Sequence, residues 1–297
     1  MSYDNPWKLA VQTYLRPFFA FFFPAIEEDI DWSREPRFLD KELLQVLPES
    51  EVGTRFADML IAVHRRSGGE AWVLIHIEIQ ASKDSTFDER MWVYHYKIFD
   101  LFRRPLASLA ILADADASWR PDHYQAELWG CRARLDFPIA KLIDFEPELD
   151  SLEASDNPFA LIVAAHLRAL RTSPDSVVRK EFKVTLVLSL YSRGWGHQGV
   201  AQIFRILDWL LKLSIELDRQ FWSEIKRYEE EKGMPFLSPT EIRFLEEGRQ
   251  VGIKEGIKEG RAEVARGMIA EGIDVEVVKK LTSLSPGEWE RSGNTSS

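Results

Sequence analysis

Over two neighbouring stretches of the chain, apolar and polar positions alternate with a period of two, the pattern of a pleated strand with two unlike faces. In TRFADMLIAVHRR, Ala57, Met59, Ile61 and Val63 share one face, and Phe56, Asp58, Leu60 and Ala62 share the other. In AWVLIHIEIQ, Val73, Ile75, Ile77 and Ile79 are apolar and mostly β-branched, while His76, Glu78 and Gln80 recur between them. The intervening SGGE, with Gly68 and Gly69, predicts a hairpin turn joining the two strands. The pattern then changes. STFDERMWVYHYKIFDLFRR has helical period, with Ser85 or Thr86 as a cap and Pro105 just past its end. LASLAILAD reads as a continuous apolar strand buried on both faces, and YQAELWGCRARLDF carries weaker strand signals. Upstream, DNPWKLAVQTYLRPFFAFFF begins with an Asn-Pro start signal and continues as an apolar helix. The acidic EEDIDWSREPRFLDKELLQV that follows shows no decisive period.

From about Asn157 the helical period takes over, through PFALIVAAHLRALR, VVRKEFKVTLVLSLYSR, VAQIFRILDWLLKL and IELDRQFWSEIKRYEEEK. These changes divide the chain into an α/β core over residues 1–150, a helical subdomain over 151–240 and a charged tail over 241–297. In the tail, Gly248, Gly252, Gly256 and Gly260 stand four apart. Each glycine costs a helix about 0.5–1 kcal/mol relative to alanine, and a four-residue step drifts only about 40° around the axis. The result is either a smooth stripe for close helix contact, with a second copy of the chain as one partner, or a charged linker helix. IDVEVVKKLTSLSPGEWE closes the chain as a small helical pair with too little basic character for DNA binding.

Composition narrows the class. The 297 residues, 45% hydrophobic and 29% charged, describe a globular chain. A net charge of −10 argues against binding nucleic acid through overall basicity, so any such contact needs a local basic patch. A lone cysteine, Cys131, excludes a disulfide framework and Cys-based zinc patterns, and with no signal-peptide pattern at the amino terminus a cytoplasmic location is expected. The aromatic run LRPFFAFFFPAI falls short of the ~20 residues of a membrane span and is broken by Arg16, Pro17 and Pro24, so a core-packing helix is expected, with no membrane contact.

Candidate chemistry lies on the hairpin. If its strands are neighbours, Asp58 and Glu78 share a face, where two close carboxylates repel unless solvent or a cation screens them. A Mg²⁺ ion, which takes oxygen ligands and keeps several waters, gives the polar row a purpose in phosphoryl chemistry. The same alternation also arises when an antiparallel sheet simply leaves one face in water. On the following helix, Arg90, Tyr94 and Lys97 stand at i, i+4 and i+7, a face that either meets the site and supplies local positive potential or points to solvent. His76 reads as an interior histidine or as a partner of Glu78, and His64 as a surface residue near the turn.

An aspartate on one strand, Glu-x-Gln on the next and a helix after it resemble the core of the PD-(D/E)XK nuclease superfamily. More closely, RFADMLIAV, WVLIHIEIQASKDSTFDERMWVYHYKIFD, LASLAILAD, FPIAKLIDF, NPFALIVAAHL and the glycine-punctuated tail together resemble the bacterial recombination-promoting nuclease, or transposase-like, family. That resemblance implies a restriction-endonuclease-like core, a mixed sheet flanked by helices, and a Mg²⁺- or Mn²⁺-dependent DNA endonuclease. By position it implies Asp58 and Glu78 as metal ligands, with the Ile79 carbonyl completing the set, Gln80 positioning water, and Arg90 steadying the phosphate. Gln80 stands where many superfamily members carry lysine, and an amide can orient a substrate but cannot act as an acid or base. Related sites add an acid from the first helical region, where Glu27, Glu28, Asp29, Asp31 and Asp40 compete. The alternative class is a nuclease-fold protein that serves as an oligomeric binding module.

Overall fold

The computed structural model describes residues 6–40, 43, 57–67, 72–193, 197–232, 262, 264–265, 267–269 and 275–282. The chain divides into two compact units, Met1–Pro48 with Arg55–Phe236, and Glu49–Thr54 with Leu237–Ser297.

The first unit is an α/β structure around a mixed five-stranded sheet in the order β1-β2-β3-β4-β7. Strands β1 (Arg37–Phe38), β2 (Ala57–Val63) and β3 (Val73–Gln80) are antiparallel neighbours. Strand β4 (Leu106–Leu112) runs parallel to β3, and β7 (Ile139–Lys141) parallel to β4. A parallel step needs a crossover, supplied here by helix α4 (Phe87–Phe102). Helix α4 ends at Arg103, whose left-handed φ of 48° closes the last turn through its N–H to the Phe99 carbonyl, ahead of Pro105.

The expected hairpin strands pair from Ala57↔Ile79 to Val63↔Val73, whereas the turn at 68–71 lies outside the described residues. β1 has no counterpart in the sequence reading, because two residues cannot display a period.

Strand alternation sorts the sheet into two faces. Met59, Ile61, Ile75, Ile77, Ile79, Leu109 and Ile111 enter the largest apolar cluster. There they meet α1 (Pro6–Thr13), α2 (Leu15–Phe22), α6 (Pro158–Arg171), α7 (Val177–Ser192) and α8 (His197–Leu210). Segments on both sides of residue 150 therefore contribute to one core. Phe18 and Phe19 of the aromatic run are fully buried in it, and no helix among the described residues is long and apolar enough to cross a membrane. The Asn157 side chain caps α6 by accepting from the Phe159 N–H at 2.9 Å and ties it to α2 by donating to the Pro17 carbonyl at 3.0 Å. Such a cap contributes about 0.5–2 kcal/mol.

α4 covers the opposite face through two smaller clusters. One joins Leu60, Ala62 and Leu74 to Tyr94 and Ile98; the other joins Ala110 and Leu112 to Phe87, Met91, Trp119 and Phe137. Between them lies the polar row of β3.

Strands β5 (His123–Leu128) and β6 (Cys131–Asp136) form a separate two-stranded arm, whose Tyr124 stacks on Trp92 of α4 at 5.6 Å. A 3₁₀ turn (Leu142–Glu148), α3 (Pro24–Asp29), α5 (Leu149–Ala154) and α9 (Ile215–Lys232) complete the unit. In the second unit, α10 (Val275–Thr282) contributes Val278 to a small apolar cluster with Ala262 and Ala265. The glycine stripe at 248–260 lies outside the described residues.

Candidate active site

The polar row is not a solvated face. His76 and Glu78 are fully buried and Gln80 is 3% exposed, because α4 lies across them. The helix runs antiparallel to β3, with Ile98 near Leu74, the Tyr94 ring edge-on to His76 at 5.9 Å, and Arg90 over Glu78 and Gln80. Of the expected Arg90, Tyr94 and Lys97 face, the first two therefore look into the sheet, and Lys97 is half-buried.

Arg90 is the centre of the site. Its Nε donates to Glu78 Oε1 at 2.9 Å and its Nη2 to the same oxygen at 2.5 Å. Nη2 also donates to Gln80 Oε1 at 3.0 Å, and Nη1 is bound to Asp84 Oδ2. Gln80 is oriented for this contact, since its Nε2 donates to the Ser82 carbonyl at 2.8 Å and leaves the amide oxygen toward Arg90. Asp84 is held in turn, its Oδ1 accepting from the Thr86 N–H and hydroxyl, both at 2.9 Å. The guanidinium also lies over the Phe87 ring at 5.2 Å.

Burial works against the Arg90 charge, but the Glu78 and Asp84 carboxylates outweigh it and hold the guanidinium pKa above its ordinary value. Burial likewise works against the Asp84 anion, yet the Thr86 and Arg90 hydrogen bonds prevail and keep its carboxyl below the usual range. Isolated charges avoid such surroundings, and a buried ion pair is often no better for stability than hydrocarbon of the same shape. Burial of Glu78 in mid-strand thus calls for a reason other than stability.

Beside the ion pair, Ser108 on β4 stands between two imidazoles, 3.4 Å from His76 Nδ1 and 3.0 Å from His95 Nδ1. A hydroxyl has one proton, so it can donate to one ring while accepting from the other. Burial lowers the His95 pKa below the ordinary histidine value.

The backbone register places Asp58 directly opposite Glu78, while the Asp58 side chain lies outside the described residues. Ile79 sits in the ladder between Ala57 and Ile111, with its side chain in the apolar core on the other face. Four of the five amino-terminal acids are engaged by other partners and one is exposed. Asp29 binds Arg65 and Ser67, and the Asp31 N–H donates to the His64 carbonyl, both at the far end of β2 from Asp58. Glu27 pairs with Arg16, Glu28 is exposed, and Asp40 is taken by Lys8 and Gln12 of α1.

Asp84, His95 and Ser108 are absent from the sequence reading. Asp84 had a signal, an acid two residues ahead of the Thr86 cap, where it accepts from the Thr86 N–H and hydroxyl. Ser108 is the only hydroxyl in an otherwise apolar strand.

Among the described residues no group of three or more His, Cys, Asp and Glu side chains is poised to hold a metal ion. The oxygens of Glu78, Gln80 and Asp84 nevertheless converge on one cation, the Arg90 guanidinium. Carboxylate and amide oxygens are the donor types a hard divalent ion takes. The chain matches no family model, no curated protein and no solved structure.

Proposed function

We propose that the chain is a Mg²⁺- or Mn²⁺-dependent DNA endonuclease with a PD-(D/E)XK-type core. The observation that carries this reading is a fully buried glutamate, in register with an aspartate on the neighbouring strand, whose carboxylate is already engaged by a cation. Asp58 and Glu78 would hold the ion, with Asp84 as an additional oxygen ligand from the loop before α4. When bound, such an ion polarises a phosphoryl oxygen and supplies hydroxide at neutral pH. Gln80 orients the attacking water through its fixed amide, and Arg90 neutralises charge on the phosphate as water adds to phosphorus and the P–O ester bond breaks. The resemblance to recombination-promoting nucleases supports DNA as substrate and a role in DNA rearrangement.

Incubation of the protein with supercoiled plasmid and Mg²⁺ or Mn²⁺ tests this reading. Nicked or linear product is expected, with loss of about 10² or more in rate for Glu78→Ala. Cleavage that survives this substitution removes Glu78 from the chemistry.

The Arg90–Glu78 bond itself favours a second reading, in which the pair is permanent and the fold serves as an oligomeric binding module. A melting temperature indifferent to divalent ions supports that alternative; a rise abolished by Glu78→Gln supports the enzyme.

A further inference from the structure

We infer that Arg90 is the resident cation of this site and competes with the divalent ion for Glu78, so that metal and phosphodiester bind cooperatively; this rests on the hydrolase reading above. Two of the three guanidinium nitrogens donate to the single oxygen Glu78 Oε1, and Glu78 is fully buried. An ion arriving at that buried carboxylate comes up against a guanidinium already on it, and two cations on one carboxylate repel. Arg90 therefore leaves Glu78 when the ion enters. It is equipped to do so, because its stem starts from α4, its guanidinium lies over Phe87, and Asp84, whose side chain is 26% exposed, holds it from the solvent side. Displaced in that direction, the guanidinium presents its N–H groups to a phosphate oxygen, a group it binds as well as a carboxylate.

In the absence of a phosphodiester the ion must break the Arg90–Glu78 bond without replacement. With one present, the displaced guanidinium gains a partner. By linkage each ligand then strengthens the other by the same factor. The result is a site that holds little metal until a phosphodiester arrives.

The test is calorimetric titration of the full chain with Mn²⁺ alone, then with millimolar dimethyl phosphate, a phosphodiester that resists hydrolysis. In the wild type, dimethyl phosphate should tighten Mn²⁺ binding about tenfold, within the range of ordinary allosteric coupling. Arg90→Gln should bind Mn²⁺ about tenfold more tightly than wild type with no phosphodiester, and should lose most of the coupling. A second measurement needs no substitution: the Arg90 Nε–H resonance, protected from exchange by its bond to Glu78, should lose that protection on saturation with Mg²⁺. Equal Mn²⁺ affinity in wild type and Arg90→Gln, or an Nε–H that stays protected at saturating Mg²⁺, overturns the competition and leaves the metal site standing. Failure of both proteins to bind Mn²⁺ overturns the hydrolase reading and the competition together. If Arg90→Gln does not fold, the wild-type resonance decides.

Discussion

Removing the buried charge pair as a unit should do far less harm than removing either half. In Arg90→Met the Glu78 carboxylate, fully buried, loses its counter-ion. Breaking a buried pair in this way costs about 3–5 kcal/mol. In Glu78→Leu the guanidinium keeps Asp84 and Gln80, and Asp84 opens to solvent, so the loss is smaller, about 2–3 kcal/mol for a charged hydrogen-bond partner. In the double variant two apolar chains lie beside Phe87, Met91 and Tyr94, which are buried. The remaining losses there are the donor to Gln80 Oε1, about 1 kcal/mol, and the guanidinium at Asp84, which retains both Thr86 bonds; Arg90→Met alone suffers both as well, so they cancel from the coupling. A double-mutant cycle by urea unfolding, followed by near-ultraviolet circular dichroism, should show a coupling of about 3 kcal/mol or more, the upper end for contacting residues. Losses that add to within about 0.5 kcal/mol would mean the two groups do not act as a pair, and the geometry described for the site would be wrong. The double variant should also be inert toward Mn²⁺ while folded, which separates the stability of the site from its chemistry.

Acid should weaken the fold through its histidines. Burial lowers the pKa of both His95 and His166 below the ordinary 6.5, so the unfolded chain binds more protons there; stability is full above pH 6.5 and falls as pH drops through the folded values. A urea midpoint that falls below pH 6.5 is expected, with a shallower slope in His95→Gln, and an unchanged slope in that variant would remove His95 from the effect. Lys141→Met should destabilise by about 3–5 kcal/mol, because it strands Asp114, which the fully buried ammonium holds at 2.6 Å at the end of β7; a loss under about 1 kcal/mol would contradict that pairing. At the tip of the β5–β6 arm, Trp129 is 96% exposed and has a left-handed φ of 51°, so Trp129→Asn should raise stability by up to about 1 kcal/mol. A drop in melting temperature there would show that the indole packs against something.

Local pattern carries much of this architecture. The period of two predicts β2 and β3, and the change to helical period predicts α4, because each depends only on which side of a ribbon or cylinder successive residues occupy. The apolar run of β4 reads correctly as a strand buried on both faces, since parallel neighbours on either side and two covering layers enclose it from Ser108 to Leu112. β1 escapes such reading, and so do Asp84 and Ser108, because their meaning comes from partners distant in the chain. Periodicity states that His76, Glu78 and Gln80 share a side but is silent on what covers it, and the same row fits open water as well as a helix. Packing of α4 across β3 resolves that choice. It buries the row and turns Arg90 onto Glu78 and Tyr94 onto His76. Periodicity is a property of neighbouring residues, whereas burial and charge pairing depend on which surfaces meet, and only the folded chain brings those surfaces together.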